Sequence, residues 1–456
     1  MRTPEIIPPF FRREEESNPQ KEFSRLTHEL TGFLRLWDAM EGRERDVIDF
    51  DLVREEPIYQ AFEEYIIGAP TKEERKRILA RLEEFQEKVE GLSQSRVDVE
   101  VHQIEFLRAK IQAHIAYCQR KLGVEFNPME YIEKTMGVKP EIIPNEILLI
   151  QKERVMGLFE KLGCLKYTKG EIEKFRAERI LPENSITGYL SHNSDVSLRA
   201  LSDFLGRKIA PKFGIEAVKK EGYWVNWSNG TRNKFKLRVN LHPRHAWRWT
   251  KGKVEEMPIH EIAGHFGQMS GWQNAIDKKE LIPVLGLTSV HDPAQITTEG
   301  IAQTLPYFVP GIEEQLCDDG RLEFEISGLR MMIYNNIHIW VNSAPVTQET
   351  EEKMIKYMHK FFPIEPEEEI RKQIKDRSMN PLLQTYLYSY GIGNYRHRLY
   401  AQALNLDGKR KLLDLIYSQP ITPEQEERFV SKLLTDHRGR YSAQKVSNGE
   451  LTGVHH

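Results

Sequence analysis

Apolar residues recur at spacings of three and four through most of this chain, the period of a helix that buries one face. Val101, Ile104, Leu107, Ile111 and Ile115 trace such a stripe within 97–122. Thr71 and Glu74 form a capping box ahead of a charged amphipathic stretch that runs to Leu92, the hydroxyl and the carboxylate each taking up a free backbone N–H. The same pattern predicts helices over 22–40, 144–163, 195–212, 256–272, 293–308, 322–343, 347–361, 365–377, 380–404, 408–418 and 422–435. The last opens with a second capping box, Thr422 to Gln425, with Pro423 in the first turn, where its missing N–H costs nothing. One stretch has a period of two instead. Gly222 to Trp227 and Lys234 to Leu241 alternate apolar and polar residues around Asn229-Gly230, which predicts a small β hairpin. The fold class is therefore mainly α with a minor β element.

No Gly-, Ser- or Pro-rich linker separates the first helices from the last, so one large helical body is expected. Its parts are a loose arm at 1–20, an N-terminal helical region at 21–215, a region at 216–436 that holds the hairpin and the most informative motif, and a flexible tail at 437–456. The closing His455-His456 reads as an expression tag.

Composition narrows the class. Among 456 residues, 65 Lys and Arg face 68 Asp and Glu, a balance that argues against a nucleic-acid partner or a polybasic membrane binder. Hydrophobic residues at 39% and aromatics at 10% allow a sizeable core in a chain of this length. No apolar run approaches a membrane span and the start lacks a signal-peptide plan, so a cytoplasmic address is expected. Cys118, Cys164 and Cys317 are odd in number and follow no CxxC spacing, which suits a reducing compartment and a role as small core residues.

The chemistry concentrates at Pro258-Ile-His-Glu-Ile-Ala-Gly-His265, where Glu255, Glu256 and Pro258 predict a helix start just before His260. In HExxH zinc sites the histidines lie four residues apart, about 40° round a helix, so both rings reach one ion. Here they are five apart, about 140° in an ideal helix, too far round for both to bind one metal. The spacing predicts a π-type widening at Ile262–Gly264, eased by Gly264. A third ligand is needed, and Glu299 in Thr297-Thr-Glu-Gly-Ile-Ala-Gln303 sits on the next predicted helix. His260, His265 and Glu299 would hold Zn²⁺, with Glu261 as general base toward a water.

These segments resemble a group of helical zinc metallopeptidases. HEIAGH followed by TTEGIAQ resembles a stretched HExxH with a downstream EGWA-like segment, as in the family with HExxPGHH long known as a domain of unknown function. Leu329 to His338, followed by Trp340, and Leu387-Tyr-Ser-Tyr-Gly-Ile-Gly393 resemble further segments of that group. The five-residue spacing equals that of dipeptidyl peptidase of the third type and of tubulin tyrosine carboxypeptidases. The chain lacks the Pro and the second adjacent His of HExxPGHH, and the likeness runs from about His242 to Gln425. It implies a zincin-like helical body with a deep cleft, similar to thimet oligopeptidase and Taq carboxypeptidase, with the active helix on the cleft floor. It also implies His338 and Tyr390 near the reacting carbonyl.

Three further groups stand out. Tyr388 belongs to a tyrosine-rich run with Tyr386 and Tyr390, and Arg396 and Arg398 offer forked guanidinium groups for a substrate carboxylate, which would mean carboxypeptidase action. Seven basic residues between Lys234 and Lys253 read as the outer face of the hairpin rather than a nucleic-acid stripe, and His242-Pro-Arg-His245 has no third ligand in view. The sequence thus predicts a zinc metallopeptidase acting on a peptide. The alternatives are a metal-dependent hydrolase of a small non-peptide amide and a non-catalytic helical interaction protein. Oligomeric state stays open.

Overall fold

A computed structural model describes residues 19–41, 47–53, 70–92, 100–221, 225–232 and 234–447. Most of the expected N-terminal arm, the end of the tail with His455-His456, and Gly222 to Trp224 of the hairpin lie outside the described residues. Seventeen helices appear among those described: α1 Pro19–Met40, α2 Lys72–Leu92, α3 Val101–Lys121, α4 Pro128–Met136, α5 Asn145–Lys161, α6 Lys169–Ala177, α7 Glu183–Leu205, α8 Lys251–Pro258, α9 Gly267–Asp277, α10 Gln295–Phe308, α11 Pro310–Gln315, α12 Asp318–Ser343, α13 Gln348–Phe361, α14 Glu367–Met379, α15 Leu383–Ala403, α16 Leu406–Ile416 and α17 Pro423–Ser447. A π-helical segment, Ile259–Phe266, joins α8 to α9 without a break. Both predicted capping boxes form, with Thr71 N donating to Glu74 Oε2 at 2.7 Å and Thr422 N to Gln425 Oε1 at 2.9 Å.

The minor β element is a five-stranded mixed sheet. Strands β1 Phe50–Asp51, β2 Phe213–Val218, β3 Asn226–Thr231, β4 Lys234–Asn240 and β5 Leu287–Thr288 lie in the order β2-β4-β3-β1-β5. The β3–β4 hairpin pairs Asn226 with Val239 and Thr231 with Lys234. Its turn therefore follows Thr231, and Asn229-Gly230 lies inside β3, contrary to the sequence reading. Gly230 is there for proximity, since a Cβ at that position would stand 2.5 Å from the ring of Phe235.

Several helix bounds differ from the expected ones for identifiable reasons. Helix α7 starts at Glu183 rather than 195, and its core-facing stripe runs from Ile186 and Leu190 through Ser194 and Ser197 to Leu201. Both serines are buried, bonding back to Leu190 O and Asn193 O at 2.7 Å each, and they break the apolar pattern without breaking the helix. Helix α4, unpredicted, carries its signals in full. Asn127 caps it through Met129 N, Pro128 follows, and Gly137 ends it at φ 72°. The last helix continues past Asp436 to Ser447.

The largest core gathers side chains from Phe23 to Val430, so residues on both sides of position 215 pack into it. A second core joins α5, α6, α12, α13 and α14 through Phe159, Phe175, Leu329, Met358 and Ile370. A small third cluster, including Ile296 of α10 and Ile339 of α12, takes residues from helices of both. No helix among the described residues is long and apolar enough to cross a membrane. Cys118 and Cys164 are buried, as expected, but Cys317 is exposed, bonding through Sγ to Glu255 at 3.0 Å.

Candidate metal centre

The helix that carries His260 starts at Lys251, not beside the histidine, because Thr250 caps it by accepting from Lys253 N at 3.2 Å. Pro258 therefore falls inside a continuous helix, where it leaves the carbonyl four residues back without its donor. That carbonyl belongs to Val254, and the Asn193 side chain of α7 supplies the missing bond at 2.8 Å. From Ile259 the helix widens to the π form, extending through Phe266 and so enclosing the predicted bulge. Gly264 contributes closeness rather than backbone freedom. A Cβ there would lie 2.7 Å from the Cβ of Ala302 in α10, so its absence lets the π segment and α10 meet. Helix α10 is held from behind in the same way, since a Cβ on Gly300 would meet His397 Nδ1 of α15 at 2.2 Å.

This packing brings the predicted ligands together. His260 Nε2 and His265 Nε2 stand 3.1 Å apart, and Glu299 Oε2 lies 3.5 Å from the first and 3.6 Å from the second. A triangle with those sides has a circumradius of about 2 Å, the length of a zinc bond to imidazole or carboxylate. Glu261 belongs to the same cluster, its ligand oxygen within 4.8 Å of both rings. Of the two carboxylates beside the imidazoles, Glu299 is the one with an oxygen to spare. Its Oε2 is buried with no hydrogen-bond partner, whereas both oxygens of Glu261 are taken. An unpartnered buried carboxylate oxygen facing two imidazoles is the arrangement a divalent cation completes.

Glu261 is fixed by the sheet. Asn226 Nδ2 donates to its Oε1 at 2.6 Å and Ser228 Oγ to its Oε2. The two donors are two residues apart on β3, which places both on one face. Glu261 Oε1 is 3.9 Å from His260 Nε2, a gap suited to one shared water. On the other side, Tyr386 donates to Glu299 Oε1 at 2.8 Å and receives a bond of 2.8 Å from Tyr390.

Burial works against charge at this centre, but the neighbours outweigh it. The His265 pKa rises because Glu299, then Glu261 and Asp49, offset its desolvation. Glu299 is lowered, its own desolvation overcome by His265, His260 and the Tyr386 hydroxyl. Burial and the nearby Glu299 charge push Tyr386 and Tyr390 well above the ordinary phenol value, so both remain hydroxyl donors. Asp49, half-buried and desolvated near Asp38 and Glu299, is raised to about 7.

Two cavities meet at this centre, of 250 and 910 Å³, and His260, Glu261, Asn226 and Tyr390 line both. The remaining expected site residues line neither cavity. His338 is fully buried on α12, Nδ1 lying 3.3 Å from Arg377, and burial with that cation holds it well below the ordinary imidazole pKa. Tyr388 is buried beside it and accepts from Glu141 N at 3.2 Å. Arg398 is spent on Glu325, Tyr307 and Gln151, and Arg396 on Tyr400, Pro423 O and Glu427. Both arginines lie on α15 faces turned to protein, so neither is free for a substrate carboxylate. His242 accepts from Arg244 N in a 3₁₀ turn and His245 is buried, and among the described residues no group of potential metal ligands gathers around this pair. The sequence reading passed over Asn226 and Ser228, whose signal is their alternate spacing in the hairpin. It left Tyr386 undistinguished among the cleft tyrosines, although Tyr386 and Tyr390 share a face of α15.

No protein-family model and no curated protein matches the chain. Among solved structures it is similar to a candidate lipoprotein from Colwellia psychrerythraea, with 14% identity over 81% of this chain and 71% of that one and a TM-score of 0.53. A candidate lipoprotein of unknown function from Shewanella oneidensis matches with 13% identity, covering 83% and 75% of the two chains, at a TM-score of 0.46. Trypanosoma cruzi metallocarboxypeptidase 1 matches with 12% identity over 94% and 99%, at a TM-score of 0.41. The first likeness shows a shared mainly helical fold; the chemistry rests on the site.

Proposed function

We propose that this chain is a metal-dependent hydrolase of peptide bonds, with zinc as the metal its donor set suits best. The observation that carries the reading is the triangle of His260 Nε2, His265 Nε2 and Glu299 Oε2, closed around the one unpartnered carboxylate oxygen of the cluster. Two imidazoles and one carboxylate make a three-ligand set that leaves a position open, the pattern of catalytic rather than structural zinc. When bound, the ion supplies Lewis-acid polarisation of the scissile carbonyl.

The protein's own groups do the rest. Glu261, held by Asn226 and Ser228, takes a proton from water as the water oxygen bonds to the carbonyl carbon. When the carbon–nitrogen bond breaks, Glu261 passes that proton to the leaving nitrogen. Tyr390, a protonated hydroxyl on the wall common to both cavities, turns its hydrogen from Tyr386 to the developing oxyanion, an interaction whose loss costs about 10²–10³ in rate in well-studied cases.

The test is the Glu261→Gln variant, assayed for metal content and for cleavage of a peptide panel by mass spectrometry. Full metal content with turnover lost supports the mechanism. Turnover at the native rate overturns it, and failure of the native protein on every peptide beside turnover of a small amide replaces the substrate class.

A further inference from the structure

The charges in the wall of the smaller cavity are taken up within the protein. Arg176 pairs with Glu323 at 2.9 Å, Lys253 with Glu256 at 2.6 Å, Arg330 with Glu365 at 2.7 Å and Arg248 with Glu369 at 4.0 Å, while Glu261 is held by β3. One neutral group there is not taken up. Gln303 lines this cavity, and its Nε2 is buried with no hydrogen-bond partner, a cost that buried amides seldom carry without a ligand or water to meet them.

Which end of that amide is free follows from a chain of bonds that begins at Glu325. The Arg398 guanidinium can only donate, and it gives Nη1 to Glu325 at 3.0 Å and Nε to Asn394 Oδ1 at 2.8 Å. Asn394 therefore turns its Nδ2 the other way and donates to Gln303 Oε1 at 3.3 Å. With its oxygen engaged, Gln303 is left with a donor and not an acceptor. Asn394 and Arg398 are both buried, and Gly328 in the cavity wall makes room for them, since a Cβ there would stand 2.3 Å from Arg398 Nη2. The polarity of the free end is thus set from inside the protein.

Helix pitch sets where this donor lies relative to the metal. Glu299 and Gln303 are one turn apart on α10, and Tyr390 and Asn394 are one turn apart on α15, so each pair shares a face with an offset of about 6 Å along the axis. In an extended peptide the carbonyls on one side recur every second residue, about 6.6–6.8 Å apart. A substrate whose scissile carbonyl meets Tyr390 thereby brings the carbonyl two residues along to Gln303. We propose, resting on the hydrolase reading above, that Gln303 binds the substrate main chain by donating an Nε2 hydrogen to that second carbonyl in the smaller cavity. Asn394 and Arg398 are then positioning residues that keep the amide the right way round. The occupant of this cavity is accordingly a neutral stretch of peptide main chain.

The experiment uses the full zinc-loaded chain and the peptide acetyl-Ala-Ala-Phe-Ala-Ala-amide, neutral and blocked at both ends. Its analogues each carry a trans-alkene, which has no carbonyl, in place of one backbone amide. Binding is measured by calorimetry in the Glu261→Gln background, where the peptide is not consumed, and cleavage by mass spectrometry in the native one. Each is repeated with Gln303→Leu, Gln303→Glu and Asn394→Asp. With Gln303 intact, the alkene at one internal position, two residues from the bond that is cleaved, should weaken binding by about three- to tenfold. In Gln303→Leu the same replacement should cost nothing further, and cleavage should show a raised KM. The Asn394→Asp variant has no side-chain N–H for Gln303 Oε1, so the Gln303 amide turns round and the same dependence should vanish.

Binding that no alkene weakens, a loss that persists in Gln303→Leu, or no binding of the parent peptide overturns the proposal. Cleavage with KM unchanged in Gln303→Leu strikes the main-chain site and leaves the hydrolase reading standing. Binding that depends on Gln303 at one position, without hydrolysis of any peptide, does the reverse. Should Gln303→Leu fail to fold, Gln303→Glu, of the same shape but without the donor, decides the matter.

Discussion

Tyr386 donates its hydroxyl hydrogen to Oε1 of Glu299 at 2.8 Å, which leaves Oε2 of the same carboxylate facing His260 and His265 with no protein partner. The bond commits one oxygen to the protein and aims the other at the metal position, the arrangement by which outer groups orient metal ligands. Tyr386 receives in turn from Tyr390, so the ligand, its orienting group and the cleft hydroxyl form one chain.

Metal binding should depend on that chain. Glu299→Gln and His265→Ala are expected to remove bound zinc, read by elemental analysis of the purified protein. Tyr386→Phe keeps all three ligands and should weaken zinc affinity by about 10–100-fold, measured by competition with a chelator. Native zinc content in Glu299→Gln would mean that the triangle is not the metal site.

The donors from β3 should matter to turnover and little to metal content. Asn226→Ala and Ser228→Ala each free one oxygen of Glu261. Each is expected to lower kcat by about tenfold or more, since misplacing a proton-transfer group costs rate. An unchanged kcat in the double variant would remove β3 from the mechanism.

Gly300→Ala tests the contact that sets the height of Glu299. Its Cβ would lie 2.2 Å from His397 Nδ1 and 2.8 Å from Gly393 O. Overpacking at such a contact costs about 1–3 kcal/mol. The expected outcome is a lower melting temperature together with reduced zinc retention, by calorimetry and elemental analysis. A variant as stable as the native protein would show that α10 and α15 have room to move apart.

Asp49 predicts the pH response of the metal-free protein. Its folded-state pKa of about 7 lies above the ordinary carboxyl value of 3.8, so between those values the folded state binds more protons than the unfolded one. The contribution of Asp49 to stability therefore falls as pH rises through that window and levels off above it. Asp49→Asn, which mimics the protonated carboxyl, should raise stability at pH 8 by about 1 kcal/mol or more and leave it little changed near pH 4. Urea denaturation of the metal-free native and Asp49→Asn proteins at the two pH values checks this, and a gain from the substitution no larger at pH 8 than near pH 4 would contradict the contribution assigned to Asp49.

The helices with an unbroken apolar stripe, such as α3 and α12, were legible in the sequence to within a few residues, as were both capping boxes. The first three turns of α7 were not legible, because Ser194 interrupts the apolar stripe that Ile186 and Leu190 begin. The start of α8 was misplaced because Pro258 reads as a terminus unless the Asn193 bond to Val254 O is known. That bond joins residues far apart in the chain, and no local pattern announces it.

The site divides along the same line. His260, Glu261 and His265, and the need for a widened turn between the rings, follow from sequence alone, because ligand spacing and helix pitch are local quantities. Glu299 was nameable as the third ligand only as a partner of matching chemistry. Its convergence, the service of Asn226 and Ser228 to Glu261, and the burial of His338, Arg396 and Arg398 away from the cleft were decided by tertiary packing. The physical reason is that an ion pair or hydrogen bond to a distant segment consumes a side chain without leaving a trace in its own neighbourhood of the sequence. Arg398 met Glu325 in this way.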